Sequence, residues 1–405
     1  MKSQVKSFIL ALFTIVFAIL LIKYPDQALS ASIRGLNMWW EIVFPSLLPF
    51  FIISELMIGF GVVTFIGVLF EPIMRPLFNV PGSGSFVWAM GMASGYPSGA
   101  KITARLRQEK QLSRIEAERL VSFTNASNPL FIFGAIAVGF FNDPSLGILL
   151  AASHYAGNTM VGLVMRFYCR KDTGTTKKSS EGFSLKRAFR ELHKTRIKDE
   201  RPFGKLFGDA VLSSLQTLLM IGGFIIIFSV LNKLLFVTGI TEVIAASFSL
   251  LLMLLQLPEV LSIPIFSGLM EITMGSQMIS QSGTEMLYAA IAVSFILGFN
   301  GFSVQAQVAS ILAETDVRFL PYFIGRLMHG VFASVLCILL FHPLYLSQSE
   351  GSSGAVPVLS KIGAQNWAMN FLEQLSYYGP LITIASLMTG CLILWKQLKA
   401  SHSFK

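Results

Sequence analysis

Apolar runs long enough to enter a lipid bilayer recur along this chain, and most are interrupted by short polar segments containing glycine or proline. Such an interruption frees main-chain N–H and C=O groups that cannot face hydrocarbon, so each break must be walled by protein or by a wet cavity. The composition leaves no soluble alternative. Of 405 residues, 53% are hydrophobic and 13% charged, against about 25% charged in a soluble domain. The mean hydropathy of +0.65 leaves too little polar surface to coat a globule. The pattern predicts an all-α polytopic membrane protein with about 8–10 helical segments, some of them broken or re-entrant. Interrupted helices of this kind belong to transporters more than to soluble enzymes.

The net charge of +9 is unevenly spread. Residues 166–205 hold thirteen Lys or Arg against five Asp or Glu, and residues 101–119 hold six against three. Each basic stretch adjoins apolar runs, so both read as cytoplasmic under the positive-inside rule. Binding of anionic lipid headgroups is a further use of the longer one, whereas nucleic acid is not an expected partner. Lys2 and Lys6 precede an apolar run at 8–22 without a small-residue cleavage site, which reads as a retained first helix.

The mixed stretch 27–41, with Arg34, Asn37 and the Trp39-Trp40 pair, reads as an interfacial helix. Pro45 and Pro49 then argue against one continuous helix. Residues 49–70 are apolar except for Ser54 and Glu55, and a later run at 86–94 ends in Gly95-Tyr96-Pro97-Ser98-Gly99. In the second half Glu271 lies in the run 265–279, which could span or re-enter, and Asn300 interrupts the run that begins at 286. Arg326 and His329 lie within 319–341.

Three polar clusters flank the breaks. Tyr96, Ser98, Lys101 and Arg105 form the first, and the last three share a helical face. They mark either an anion path or merely the membrane edge. In the second, Asn125 and Asn128 beside Thr124 share a face ahead of Pro129, either to hold a polar ligand or to cap a helix. Asn300, Ser303, Gln307 and Ser310 form the third, suited to a ligand or to interhelical hydrogen bonds. The single charges Glu55, Glu271 and Arg326 are functional candidates by their depth, although either Glu could pair structurally with Arg326. Cys169, Cys337 and Cys391 lack metal-ligand or redox spacing, so neither metal nor cofactor is expected. No H-E-x-x-H, G-x-S-x-G or P-loop occurs, and no enzymatic activity is expected.

The breaks suggest an internal repeat. Phe51-Ile52-Ile53-Ser54-Glu55-Leu56 matches Ile226-Ile227-Phe228-Ser229-Val230-Leu231, and Gly95-Tyr96-Pro97-Ser98 takes the place of Gly298-Phe299-Asn300-Gly301.

Three motifs carry a family resemblance: Phe44-Pro45-Ser46-Leu47-Leu48-Pro49-Phe50, Gly95-Tyr96-Pro97-Ser98-Gly99-Ala100-Lys101, and Thr124-Asn125-Ala126-Ser127-Asn128-Pro129-Leu130-Phe131. Over nearly the whole chain the sequence resembles a family of sporulation integral membrane proteins, whose halves are similar to the nucleoside-recognition gate domain. The resemblance implies a first helix at 1–24, a gate-like repeat at 25–168, a basic cytoplasmic loop at 169–206 and a second repeat at 207–342. An external loop at 343–378 and a final helix with its tail at 379–405 would follow. It further implies transport of dipicolinic acid, an aromatic dicarboxylate, from the mother cell across the outer forespore membrane. Nucleosides or another small metabolite remain open as substrates, as does a non-transporting sporulation scaffold. Its partners would be the bilayer and a small-molecule substrate, with a homo-oligomer or other sporulation membrane proteins left open. For a dicarboxylate, the chemistry of Lys101, Arg326, Asn125 and Asn128 makes them the expected contacts. These roles are not transferred from the family.

Overall fold

A computed structural model describes residues 2–170 and 184–347. The final helix and most of the external loop expected from the sequence lie outside the described residues, as does part of the basic loop. The described residues form sixteen α-helices and no strand. Four helices are long and apolar enough to cross a membrane, or up to six if each of two sharply bent pairs is one span. Segments outnumber the 8–10 expected because the polar breaks divide runs that the sequence presents as single spans.

The first helix, α1 (Lys2–Lys23), exposes Phe8, Ile9, Phe13 and Ile19, as lipid contact requires. It turns sharply into α2 (Pro25–Met38), which passes through a π-helical turn (Trp39–Val43) into α3 (Phe44–Gly59). The chain is thus helical from Pro25 to Gly59, so the helix expected at 27–41 forms and runs on into α3. Of the tryptophan pair expected at the headgroups, Trp40 is exposed. Trp39 is buried instead, and its indole N–H donates to Leu218 O at 2.9 Å. The two prolines do not interrupt the helix. The wider π turn lies just ahead of Pro45, where the ladder must already give up an N–H, and Pro49 is carried inside α3.

Next come α4 (Val62–Phe78), α5 (Ser83–Ser94), α6 (Ser98–Gln108) and α7 (Arg114–Thr124), then a π-helical segment (Leu130–Phe140) and α8 (Pro144–Met165). The second half holds α9 (Leu185–Lys198), α10 (Phe203–Val237), α11 (Ile240–Leu254), α12 (Ser262–Met270) and α13 (Ile272–Ser280). It ends with α14 (Met286–Phe299), α15 (Gly301–Leu312) and α16 (Phe319–Phe341).

One order of elements runs through both halves. A long helix ends at a left-handed glycine, Gly61 or Gly239, and is followed by a shorter helix, α4 or α11. A tight helical pair follows, α5–α6 or α12–α13, and then a broken helix and a long one. The breaks at Gly95-Tyr96-Pro97 and Glu271 therefore correspond, as do those at 125–128 and Asn300. The pairing of Gly95 with Gly298 expected from local similarity is displaced by one element. Short Gly-containing strings match too easily to set the register by themselves.

The two long helices run antiparallel. Ser229 Oγ donates to Ala31 O at 2.9 Å, Trp39 reaches Leu218, and Gly59 meets Leu206. The α5–α6 and α12–α13 pairs each pack helix against helix across a short break, so 265–279 is two short helices divided at Glu271. Glycine allows this where main chains nearly touch: a Cβ on Gly275 would lie 2.1 Å from Gly268 Cα, and one on Gly91 would lie 3.4 Å from Gly99 Cα.

The basic segments gather on one side. Arg107 pairs with Asp316 at 2.8 Å, and Arg119 donates to Tyr168 O and Cys169 O. Arg318 holds the buried Glu118 at 2.8 Å and Tyr168 Oη at 2.7 Å. Burial alone would raise the Glu118 pKa, but hydrogen bonds from Arg318 and Tyr168 bring it below the ordinary carboxylate value. A carboxylate with a depressed folded pKa stabilises the fold above its unfolded pKa, and that stability is lost as pH falls. We expect the thermal midpoint in detergent to fall on acidification through the carboxylate range. Glu118→Gln should flatten that acid limb, and an unchanged limb would contradict this role.

Candidate functional site

The first requirement of a broken helix is that its freed main-chain groups find partners. The break at 125–128 is not helical, so Asn125 and Asn128 do not share a helical face as the spacing suggested. Asn125 Nδ2 donates to Tyr322 Oη at 2.9 Å, and Asn300 Nδ2, from the other half, reaches the same hydroxyl at 3.1 Å. Ser127 N–H donates to His154 Nε2 at 2.9 Å, and Tyr155 Oη donates to Ser127 O at 3.0 Å. Asn128 turns the other way. Its Oδ1 caps the next helix at Phe131 N (2.8 Å), and its Nδ2 donates to Ser94 O at 3.0 Å.

Arg326 serves the same end. It is fully buried, and its guanidinium donates to Asn125 O (2.7 Å), Ser122 O and Asn158 Oδ1 (3.0 Å). Its Nη1 also donates to His329 Nδ1 at 3.0 Å, which leaves His329 Nε2–H to donate to His154 O at 2.7 Å. The cation therefore sits at the carbonyl end of α7, where the helix dipole is negative. Pairing of Arg326 with Glu55 or Glu271 does not occur. Both carboxylates are held elsewhere: Glu55 lies 3.9 Å from Lys101 Nζ and 3.7 Å from Arg105 Nε. Glu271 accepts from Thr273 N (3.0 Å) and Met274 N (2.8 Å), capping α13.

Inside this scaffold lies a central cavity of about 340 Å³. Both hairpin tips reach it, through Gly95-Tyr96 and through Glu271-Ile272-Thr273. Ser127 and Asn128 from the non-helical break and Ser303 and Gln307 from α15 add polar groups. Met38, Leu47, Ile221 and Ile225 make an apolar wall. Five residues singled out from sequence thus meet here: Tyr96, Asn128, Glu271, Ser303 and Gln307. Tyr96 also locks the halves together, since its hydroxyl donates to Leu297 O at 2.9 Å.

The remaining sequence candidates lie elsewhere. Ser54 bonds Phe50 O within its own helix, and Ser98 is buried in the α5–α6 tip against Ser94 and Gly95. Asn125, Asn300 and Arg326 form the structural knot behind the cavity wall. Glu55 and Lys101 line a second cavity of about 180 Å³ with Arg105, Ser213, Gln216 and Thr217. Lys101 Nζ donates to Ser213 O at 3.3 Å and lies 4.5 Å from the Phe51 ring centroid. Sequence reasoning passed over Ser127 and Thr273 as site residues, because neither stands out by charge or by helical spacing.

The geometry is that of two halves closing on a shared, largely apolar cavity edged by a few polar groups, and comparison with known proteins gives it a family. The sporulation integral membrane protein YlbJ of Bacillus subtilis (strain 168) is 54% identical over 393 residues, which cover 96% of each chain. The chain belongs to the YlbJ family of sporulation integral membrane proteins. Within this YlbJ-family chain, the gate family described as nucleoside recognition matches residues 40–141. That stretch holds α3 to α7 and the non-helical break, and so one of the two hairpin tips. No solved structure matches the chain.

Proposed function

We propose that the chain carries a small organic anion across the membrane. The expected substrate is dipicolinate, moved from the mother cell across the outer forespore membrane during sporulation. The observation that carries this reading is the central cavity, on which the hairpin tips of both halves converge. Its volume falls at the lower end of the ~300–1,000 Å³ typical of small-molecule sites. The apolar wall suits an aromatic ring, and the amides of Asn128 and Gln307 and the hydroxyls of Ser127 and Ser303 suit carboxylate oxygens. Among the described residues Ser127 Oγ is buried on this wall close to Tyr96 and makes no well-formed hydrogen bond, which leaves it able to serve a ligand. Lys101 and Arg105 on the basic side supply a field that draws anions toward the second cavity. The two halves are read as inverted repeats that rock about the shared site in alternating access. Transport rather than catalysis is the activity inferred.

One observation favours a second reading. Glu271 is the charged residue on the cavity wall, which suits an uncharged metabolite such as a nucleoside better than a dianion. The gate family's own description points the same way.

A test in sporulating cells separates the two. In cells whose own transporter is replaced by this chain, Lys101→Ala should lower spore dipicolinate roughly tenfold, the effect of weakening anion capture by about 1.4 kcal/mol. Normal dipicolinate content, with the variant present in the membrane at the parent level, would contradict an anion route past Lys101.

A further inference from the structure

Along α10, Ser213, Thr217, Ile221, Ile225 and Ser229 recur at four-residue spacing and so form a stripe that winds part-way round the helix, by about 40° per step. Three cavities open onto that stripe in order. Ser213 and Thr217 line the cavity that holds Lys101, Arg105 and Glu55. Ile221 and Ile225 wall the central cavity. Ile225 and Ser229 line a third, of about 30 Å³, together with Arg34, Gly35, Glu271, Thr273 and Gln277. Ile225, Glu271 and Thr273 border both the central and the third cavity, so these two adjoin. α15 repeats the order from another wall, with Ser303 and Gln307 at the central cavity and Ile311, followed by Glu314 just past the helix end, at the basic one.

From Ser213 to Ser229 the helix rises about 24 Å, most of the ~30 Å hydrocarbon thickness. The series therefore has the length of a membrane crossing, with cations at both ends; its carboxylates are Glu55 and Glu314 at the basic end and Glu271, committed to capping α13, between the central and third cavities. Arg34 is exposed on α2, and its Nη2 donates to Ser229 Oγ at 3.4 Å. Among the described residues no carboxylate lies within ion-pair distance of it. The third cavity has room for little more than a water molecule, so this end of the series is a constriction.

We propose that Arg34 is the carboxylate contact and gate at the far mouth of this path. In the state described, its guanidinium is tethered to the Ser229 hydroxyl and the mouth is narrow. A substrate carboxylate arriving from the central cavity replaces that hydroxyl as acceptor, and the Arg34 side chain swings with it to open the mouth. The ligand class is a small aromatic dicarboxylate, whose second carboxylate engages Arg34 while the first remains among the amides of the central cavity. The assignment rests on the anion-transport reading above.

The test uses the full chain in proteoliposomes, with labelled dipicolinate and labelled picolinate, which keeps the ring but only one carboxylate. Arg34→Gln should cut dipicolinate uptake at least tenfold and raise its KM, with a smaller effect on picolinate. Arg34→Lys should recover part of the loss. Ser229→Ala, which frees the guanidinium without touching its charge, should raise the dipicolinate rate, and it keeps the test decisive if Arg34→Gln fails to insert. Parent-like dipicolinate uptake in Arg34→Gln, or equal losses for both substrates, would overturn the Arg34 assignment alone. Absence of saturable uptake by the parent chain for either anion would overturn the transport reading and this proposal with it.

Discussion

Replacing Arg326 with Leu should unfold the chain's centre rather than merely slow transport. The guanidinium holds the Ser122 and Asn125 carbonyls and the Asn158 amide oxygen in a fully buried setting. Removing it strands those acceptors where water cannot replace the lost bonds, and a net loss of about 3–5 kcal/mol is expected by analogy with breaking a buried ionic contact. Lys offers one point charge in place of a planar fork and cannot reach three acceptors on two segments, so Arg326→Lys should rescue little. Thermal unfolding of the purified protein in detergent checks this. A variant that keeps the parent midpoint while losing uptake would instead make Arg326 a substrate contact.

Gln307→Leu should have the opposite signature. Gln307 faces the central cavity from α15, and its side chain makes no hydrogen bond to the protein among the described residues. Leu has nearly the same volume and helix propensity, so the fold should hold. The amide donors offered to a carboxylate would vanish, and uptake should fall tenfold or more, the equivalent of about 1.4 kcal/mol or more of binding. Gln307→Glu should be at least as damaging to an anion, since it sets a second carboxylate beside the cavity that Glu271 already borders. Unchanged KM and rate in Gln307→Leu would move the substrate away from this wall.

These two residues mark what could be read from the sequence and what could not. The breaks at Gly95–Pro97 and Asn300 were legible because glycine, proline and buried polar residues have few other uses inside an apolar run, whereas the break at Glu271 was hidden inside the run 265–279. That several of their polar neighbours would face one cavity also followed from the rule that freed main chain cannot face lipid. The partners were hidden, since Arg326 meets carbonyls some two hundred positions earlier in the chain. Its charge suggested a ligand, whereas its geometry gives it to the main chain. Helical spacing failed at Asn125 and Asn128 because the segment between them is not helical. It held for Ser303 and Gln307 because α15 continues through both. Arg34 was read only as part of an interfacial helix for a related reason: Trp39-Trp40 suggested a headgroup location, but Trp39 packs on Leu218 and the segment lies against α10.

The most direct measurement is uptake of labelled dipicolinate and labelled nucleosides into proteoliposomes holding the purified chain, compared with the Gln307→Leu variant at matched insertion. Saturable dipicolinate uptake that exceeds nucleoside uptake and collapses in the variant is the predicted result. Saturable uptake of nucleosides alone, or dipicolinate uptake indifferent to the central cavity, would contradict it.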